Sequence, residues 1–168
     1  MSPKEVYPYR IDEGVFLEDV KILLPWSATV DELATLADAR RLPENDPHAV
    51  AWGAHKCFGG LTIIPTRGCD SASRFSDAQT FLLRLPDFEH GTAREMWEPE
   101  LTYLSCAFGA PYKIEEVCEG FESFPHATWY FGAVRLTHIV QRRFVEFNTT
   151  MLYRSETAAG YWRYENWR

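Results

Sequence analysis

The sequence predicts an α+β fold in which an antiparallel sheet is packed by short helices. Three observations carry that expectation. Residues 127–154, ATWYFGAVRLTHIVQRRFVEFNTTMLYR, are dense in β-branched and aromatic residues, contain no proline and break twice at polar points, as consecutive antiparallel strands do. Shorter runs of the same type recur earlier, several of them closed by Pro or Gly-Gly. Two segments instead space their apolar residues for a helix.

In the 127–154 stretch, Tyr130, Val134, Leu136 and His138 are expected on one face. Trp129, Phe131, Ala133, Arg135 and Thr137 are expected on the other. Large apolar groups on both faces predict a strand covered on both sides near its start. Gln141, Arg142 and Arg143 suit a tight connection, followed by two runs at 144–147 and 149–153.

Taken in order, residues 1–14 read as a lead-in arm ending at Gly14. Residues 15–24 hold a strand in which Val20, Ile22 and Leu24 alternate with Asp19, Lys21 and Leu23, stopped by Pro25. Residues 27–41 read as a helix: Thr29 and Glu32 form a capping box, Asp31 adds first-turn charge, and Val30, Leu33, Leu36 and Ala37 form a stripe. Pro43 and Pro47 frame a loop. Residues 49–58 read as a strand turned by Gly59-Gly60 into residues 61–64. A polar loop spans 66–78, and a strand at 80–85 ends at Pro86. Residues 86–100 read as an acidic connector. Residues 101–108 are strand-like, Gly109-Ala110-Pro111 breaks them, and residues 113–121 read as a helix with Ile114, Val117, Cys118 and Phe121 on one side.

This order suggests one domain over 1–168 containing two degenerate strand–helix–meander halves, 15–85 and 101–154, joined by the 86–100 connector and sharing one continuous sheet. An offset of 84 places Val30, Asp31, Glu32 and Leu33 on Ile114, Glu115, Glu116 and Val117. An offset of 79 places Trp52-Gly53-Ala54 on Phe131-Gly132-Ala133 and Lys56 on Arg135.

Hydrophobic residues make up 46% of the chain and aromatics 15%, enough to fill a core and unlike a disordered chain. No apolar run approaches the roughly 18 residues that span a bilayer. The opening MSPKEVYPYRIDEG lacks the apolar segment of a secretory signal, so a cytoplasmic protein is expected. The net charge of −7 is concentrated: residues 86–122 carry nine acids against two bases. Such a field disfavours nucleic acid and membrane surfaces and speeds encounter with a basic protein. A merely solvated acidic face is the simpler alternative.

Catalytic grammar is sparse. No phosphate-cradling glycine loop, zinc-helix motif or serine elbow occurs. Cys57, Cys69, Cys106 and Cys118 lack zinc-site spacing and read as reduced packing residues. His55 and Cys57 can share a strand face, with Asp70 or Asp77 as orienter, which is the one candidate for a thiol hydrolase. Glu115, Glu119 and Glu122 share a face if residues 113–121 are helical; with no His among them, a solvated face explains them better than a metal. The tail YWRYENWR, residues 161–168, is rich in aromatic and Arg residues and reads as a final docking strand or as an interface element.

The paired VDEL (30–33) and IEEV (114–117) helices and the WGA and FGA strand starts resemble the tandem architecture of the β-lactamase inhibitor protein type. The overall type is also similar to the small immunity proteins that neutralise bacterial polymorphic and contact-dependent toxins. The resemblance implies a non-enzymatic inhibitor that occludes the active site of a cognate, basic toxin, with no cofactor and no metal. Glu95, Trp97, Glu98, Glu115, Glu119 and Glu122 are then the expected partner contacts. The alternatives are a small-ligand-binding domain with a pocket lined by Tyr130, Phe144 and Trp162, and the Cys57/His55 hydrolase.

Overall fold

A computed structural model describes residues 7–42, 49–68, 79–88, 90–142 and 144–154. The fold is α+β with a largely antiparallel sheet. A two-stranded hairpin, β1 (Gly14–Leu17) and β2 (Ile22–Pro25), precedes a one-turn helix α1 (Val30–Leu33). The main sheet has nine strands: β3 (Arg40–Arg41), β4 (Val50–Ala51), β5 (His55–Cys57), β6 (Leu61–Gly68), β7 (Gln79–Arg84), β8 (Lys113–Glu119), β9 (Glu122–Phe131), β10 (Val134–Arg142) and β11 (Glu146–Arg154). Their spatial order is β3-β4-β6-β7-β11-β10-β9-β8, with β5 also paired to β6. The long helix α2 (Ala93–Phe108) separates β7 from β8.

The chain from β8 to β11 is an up-and-down meander, and β11 returns to pair antiparallel with β7. Both halves of the chain therefore build one sheet. Its central register sets Trp129, Leu136, Leu152 and Phe81 side by side on one face. Leu83, further along β7, and Ile63 on neighbouring β6 are buried with them. Helix α2 lays Trp97, Leu101 and Leu104 into this core, a 4-then-3 spacing that keeps all three on one stripe. The N-terminal unit contributes Trp26, edge-on to Phe81 at 5.1 Å. The Trp26 indole donates to Ile11 O at 2.8 Å, which satisfies its one polar group.

The elements differ from the sequence reading at definite places. Residues 101–108 are helix, not strand, and the 86–100 connector contains the first half of α2. A Thr92–Glu95 capping box starts that helix, and Pro99 sits on its exposed side. Residues 113–119 are strand, not helix: pairing with β9 from Lys113↔Thr128 to Glu119↔Glu122 overrides the helix-like spacing. The offset of 84 thus sets helix α1 against strand β8, and VDEL and IEEV are not equivalent elements. The offset of 79 does align two breaks between strands, at Gly53 and Gly132.

Of the expected helix at 27–41 only α1 forms: Thr35 and Leu36 follow it in turns bonded three residues back, and Ala37 then takes a left-handed φ of 53°. Residues 15–24 form a hairpin, with Val20 in its turn and 43% exposed. The lead-in is anchored from Tyr7 onward: Ile11 is fully buried and Tyr9 donates to Ala107 O at 3.0 Å. The turn at Gly132 (φ 60°) flips the expected faces, so Trp129 and Phe131 join Val134, Leu136 and His138, while Tyr130 opposes Arg135. One strand, β11, replaces the two expected runs after residue 143. The tail at 161–168, with Trp162, and the residues Cys69, Asp70 and Asp77 lie outside the described residues.

Candidate functional site

One end of the sheet gathers the acidic and exposed apolar groups. The turns β8–β9 and β10–β11 lie at that end because alternate turns of a meander point the same way. Arg94, in the first turn of α2, fixes the helix start there. Its Nε donates to Glu146 at 3.1 Å, its Nη2 donates to Ser123 O at 3.1 Å, and its guanidinium lies 5.0 Å from the Phe124 ring centre. Arg142 bonds Glu122 and reaches Glu146 at 3.8 Å. These contacts hold four elements, α2, β9, β10 and β11, in one frame.

Side chains project outward from that frame. Phe121 and Phe144 are essentially fully exposed (110% and 93%), and Val145 is 70% exposed. Large exposed apolar side chains on two turns at the same end of a sheet make that end a candidate interaction surface. Around it lie Glu95, Glu119 and Glu122. Glu95 accepts from the Thr92 backbone N–H at 2.8 Å, and this bond, followed by the Thr92 hydroxyl, holds its carboxyl below the usual range. Along the sheet edge, β8 adds Glu115 and Glu116, with Ile114 58% exposed and Tyr112 74% exposed. No strand pairs with the outer side of β8 among the described residues.

The structure sorts the six expected contacts. Glu98 and Glu119 are exposed and carry no ion pair among the described residues. Glu115 pairs with Lys113 at 2.9 Å, Glu122 with Arg142, and Glu95 caps α2. Trp97 corrects the expectation: it is 6% exposed and belongs to the core. Glu115 and Glu119 share a strand face, and Glu122 sits opposite Glu119 across the turn, so the three do not form a helix face.

Behind the acidic end lies a hollow of about 300 Å³, between the α2 start and strands β7 and β11. Its inner wall is polar. Asn148 Nδ2 donates to Glu100 Oε2, and His138 Nδ1 lies 2.9 Å from Thr150 Oγ1. His138 Nε2 is 3.3 Å from Glu100 Oε2, an ion-pair distance outside hydrogen-bond geometry. Glu100, His138 and Thr150 are each at least nine-tenths buried. Sequence reasoning missed this cluster, although a signal exists. Glu100 falls within the Trp97–Leu101–Leu104 stripe, and His138 falls between Leu136 and Val140, so each is a polar residue on an apolar face. The expected pocket residues lie elsewhere: Phe144 is on the exposed turn, and Tyr130 packs edge-on to Tyr112 at 5.1 Å.

The third candidate resolves differently. His55 and Cys57 are both buried on one face of β5, but His55 serves two carboxylates. Its Nδ1 is 3.1 Å from Asp19 and its Nε2 2.7 Å from Asp38. Carboxylates only accept, so the imidazolium form satisfies both contacts, and both ring nitrogens are engaged by carboxylates and not by the thiol. Burial, with Glu18 and Asp19 nearby, pushes the Cys57 thiol up to about 12. His55 with Asp19 and Asp38 forms a staple between the β1–β2 turn and the segment after α1.

Among the described residues, no group of three or more His, Cys, Asp or Glu side chains is arranged to hold a metal. No helix there is long and apolar enough to cross a membrane. Compared with protein-family models, curated proteins and solved structures, the chain matches none.

Proposed function

We propose that this chain is a non-enzymatic binding module for a basic protein, and that its specific form is an inhibitor covering the active site of a cognate toxin. The observation that supports it best is the shared placement of Phe121, Phe144 and Val145 with Glu95, Glu119 and Glu122 at one end of the sheet. Exposed rings supply buried area on association, and the surrounding carboxylates select and steer a cationic partner. The open edge of β8, lined by Glu115, Glu116 and Ile114, extends that surface to an extended basic segment.

The competing hydrolase reading loses its nucleophile with the Cys57 thiol held near 12. The test is affinity capture from the native host with the wild-type chain, with a Glu98→Lys/Glu119→Lys variant, and with Phe121→Ser. The proposal expects a basic protein that is retained by the wild type and lost from both variants. An identical captured set for all three chains would overturn it.

A further inference from the structure

We propose that the hollow beside Glu100 binds a primary ammonium carried on a short apolar stem. The polar wall is incomplete as it stands. Among the described residues Asn148 Oδ1 is buried without a hydrogen-bond partner, while Asn148 Nδ2 is committed to Glu100 Oε2. Buried acceptors are nearly always satisfied in folded proteins, so an unpartnered one on a residue that lines a cavity calls for a donor. Glu100 is a buried carboxylate whose Oε1 takes part in no hydrogen bond among the described residues. A group with several N–H donors and a positive charge would satisfy Asn148 Oδ1 and neutralise Glu100 together.

The remaining wall sets the rest of the ligand. Leu85, Phe88 and Met96 line the hollow, so its body must be apolar. The volume of about 300 Å³ is at the small end of ligand sites, which suits a short stem. The charged groups lining it are Glu100, Glu146 and Arg84, and His138 stands beside Glu100 with Nε2 3.3 Å from Oε2, which leaves Oε1 as the oxygen uncommitted among the described residues. Glu146 is engaged by Arg94, and Arg84 is solvent-exposed on β7, so Glu100 is the charge that the ligand meets at depth. The same chemistry is offered by a free alkylamine or by the lysine side chain of a docked protein.

The test titrates the full chain with n-butylamine, following the Asn148 and Thr150 amide signals by NMR, with n-butanol as the neutral control of equal shape. A second arm uses a short peptide with one lysine, and its norleucine counterpart. Glu100→Gln keeps an acceptor for Asn148 and removes the charge. Ala93→Phe fills the hollow from its rim and leaves Glu100 in place. The proposal expects n-butylamine to bind about tenfold or more tightly than n-butanol, and both variants to lose about tenfold or more. Tighter binding of the lysine peptide than of n-butylamine identifies a protein side chain as the source; binding of n-butylamine alone identifies a free amine. Absence of shifts, equal binding of n-butanol, or full binding by a folded Glu100→Gln chain would overturn the proposal.

Discussion

Trp97 lies flat on His138, with ring centres 4.6 Å apart and planes 6° from parallel. The contact joins the second turn of α2 to the centre of β10, where both side chains are out of water. It makes Trp97 the anchor of the helix on the sheet and leaves the outer side of α2, with Glu98, as the surface. The neighbouring residues thus have opposite duties, one holding the fold and one facing a partner.

Removing the anchor should be costly. Trp97→Ala is expected to destabilise the fold by about 3–5 kcal/mol, through lost burial and the cavity left behind. Glu98→Ala should change stability by less than about 0.5 kcal/mol. Urea unfolding of the two variants compares them directly; equal small losses would mean that Trp97 is not a core residue.

The staple at His55 makes stability depend on pH. Burial by itself lowers the His55 value, but the hydrogen bonds and charges of Asp38 and Asp19 outweigh it, and the imidazole ends above its usual 6.5. A raised value means that the folded state holds the proton more tightly. That stabilisation is complete below 6.5 and drains away as pH climbs through the raised value. For Asp19 and Asp38, burial pushes upward, yet the His55 and backbone bonds pull the carboxyls below 3.8. Their share is present above 3.8 and is lost as pH falls through the lowered values. The melting temperature should therefore peak between 3.8 and 6.5 and decline on the alkaline side. In His55→Gln the alkaline decline should flatten, and an unchanged slope in that variant would assign the pH dependence to other groups.

Thiol chemistry separates the cysteines. Cys57 is fully buried with its thiol pushed up to about 12, whereas Cys106 and Cys118 are exposed. Iodoacetamide at neutral pH should alkylate Cys106 and Cys118 and spare Cys57 until the chain is unfolded. Peptide mass spectrometry reads this out, and rapid native labelling of Cys57 would restore the hydrolase reading.

The sheet was legible where tertiary pairing and local preference agree. Val134, Leu136 and Val140 in β10 are β-branched or aliphatic at period two, and the strand forms where that pattern places it. The misreadings come from segments where a local feature competes with the whole. Residues 86–100 read as an acidic connector, yet α2 begins at Ala93 and runs through Pro99, because Trp97, Leu101 and Leu104 bury its inner side in the core. Ile114, Val117 and Phe121 imitate a helical stripe, but Gly120 (φ 67°) turns the chain and β9 supplies a pairing partner. The acidic end was half legible: the glutamates stand out in the sequence, but only the meander and Arg94 bring Glu95 and Glu122 together. The polar pair Glu100 and His138, 38 positions apart, meets only once α2 covers β10.

The most direct measurement is the association rate of the captured partner, taken at low and at high ionic strength, for the wild type and for Glu98→Lys/Glu119→Lys. A steered encounter predicts a wild-type rate that falls steeply with salt, and a variant rate that is already slow and nearly flat. Two chains with the same rate and the same salt dependence would contradict the acidic docking surface.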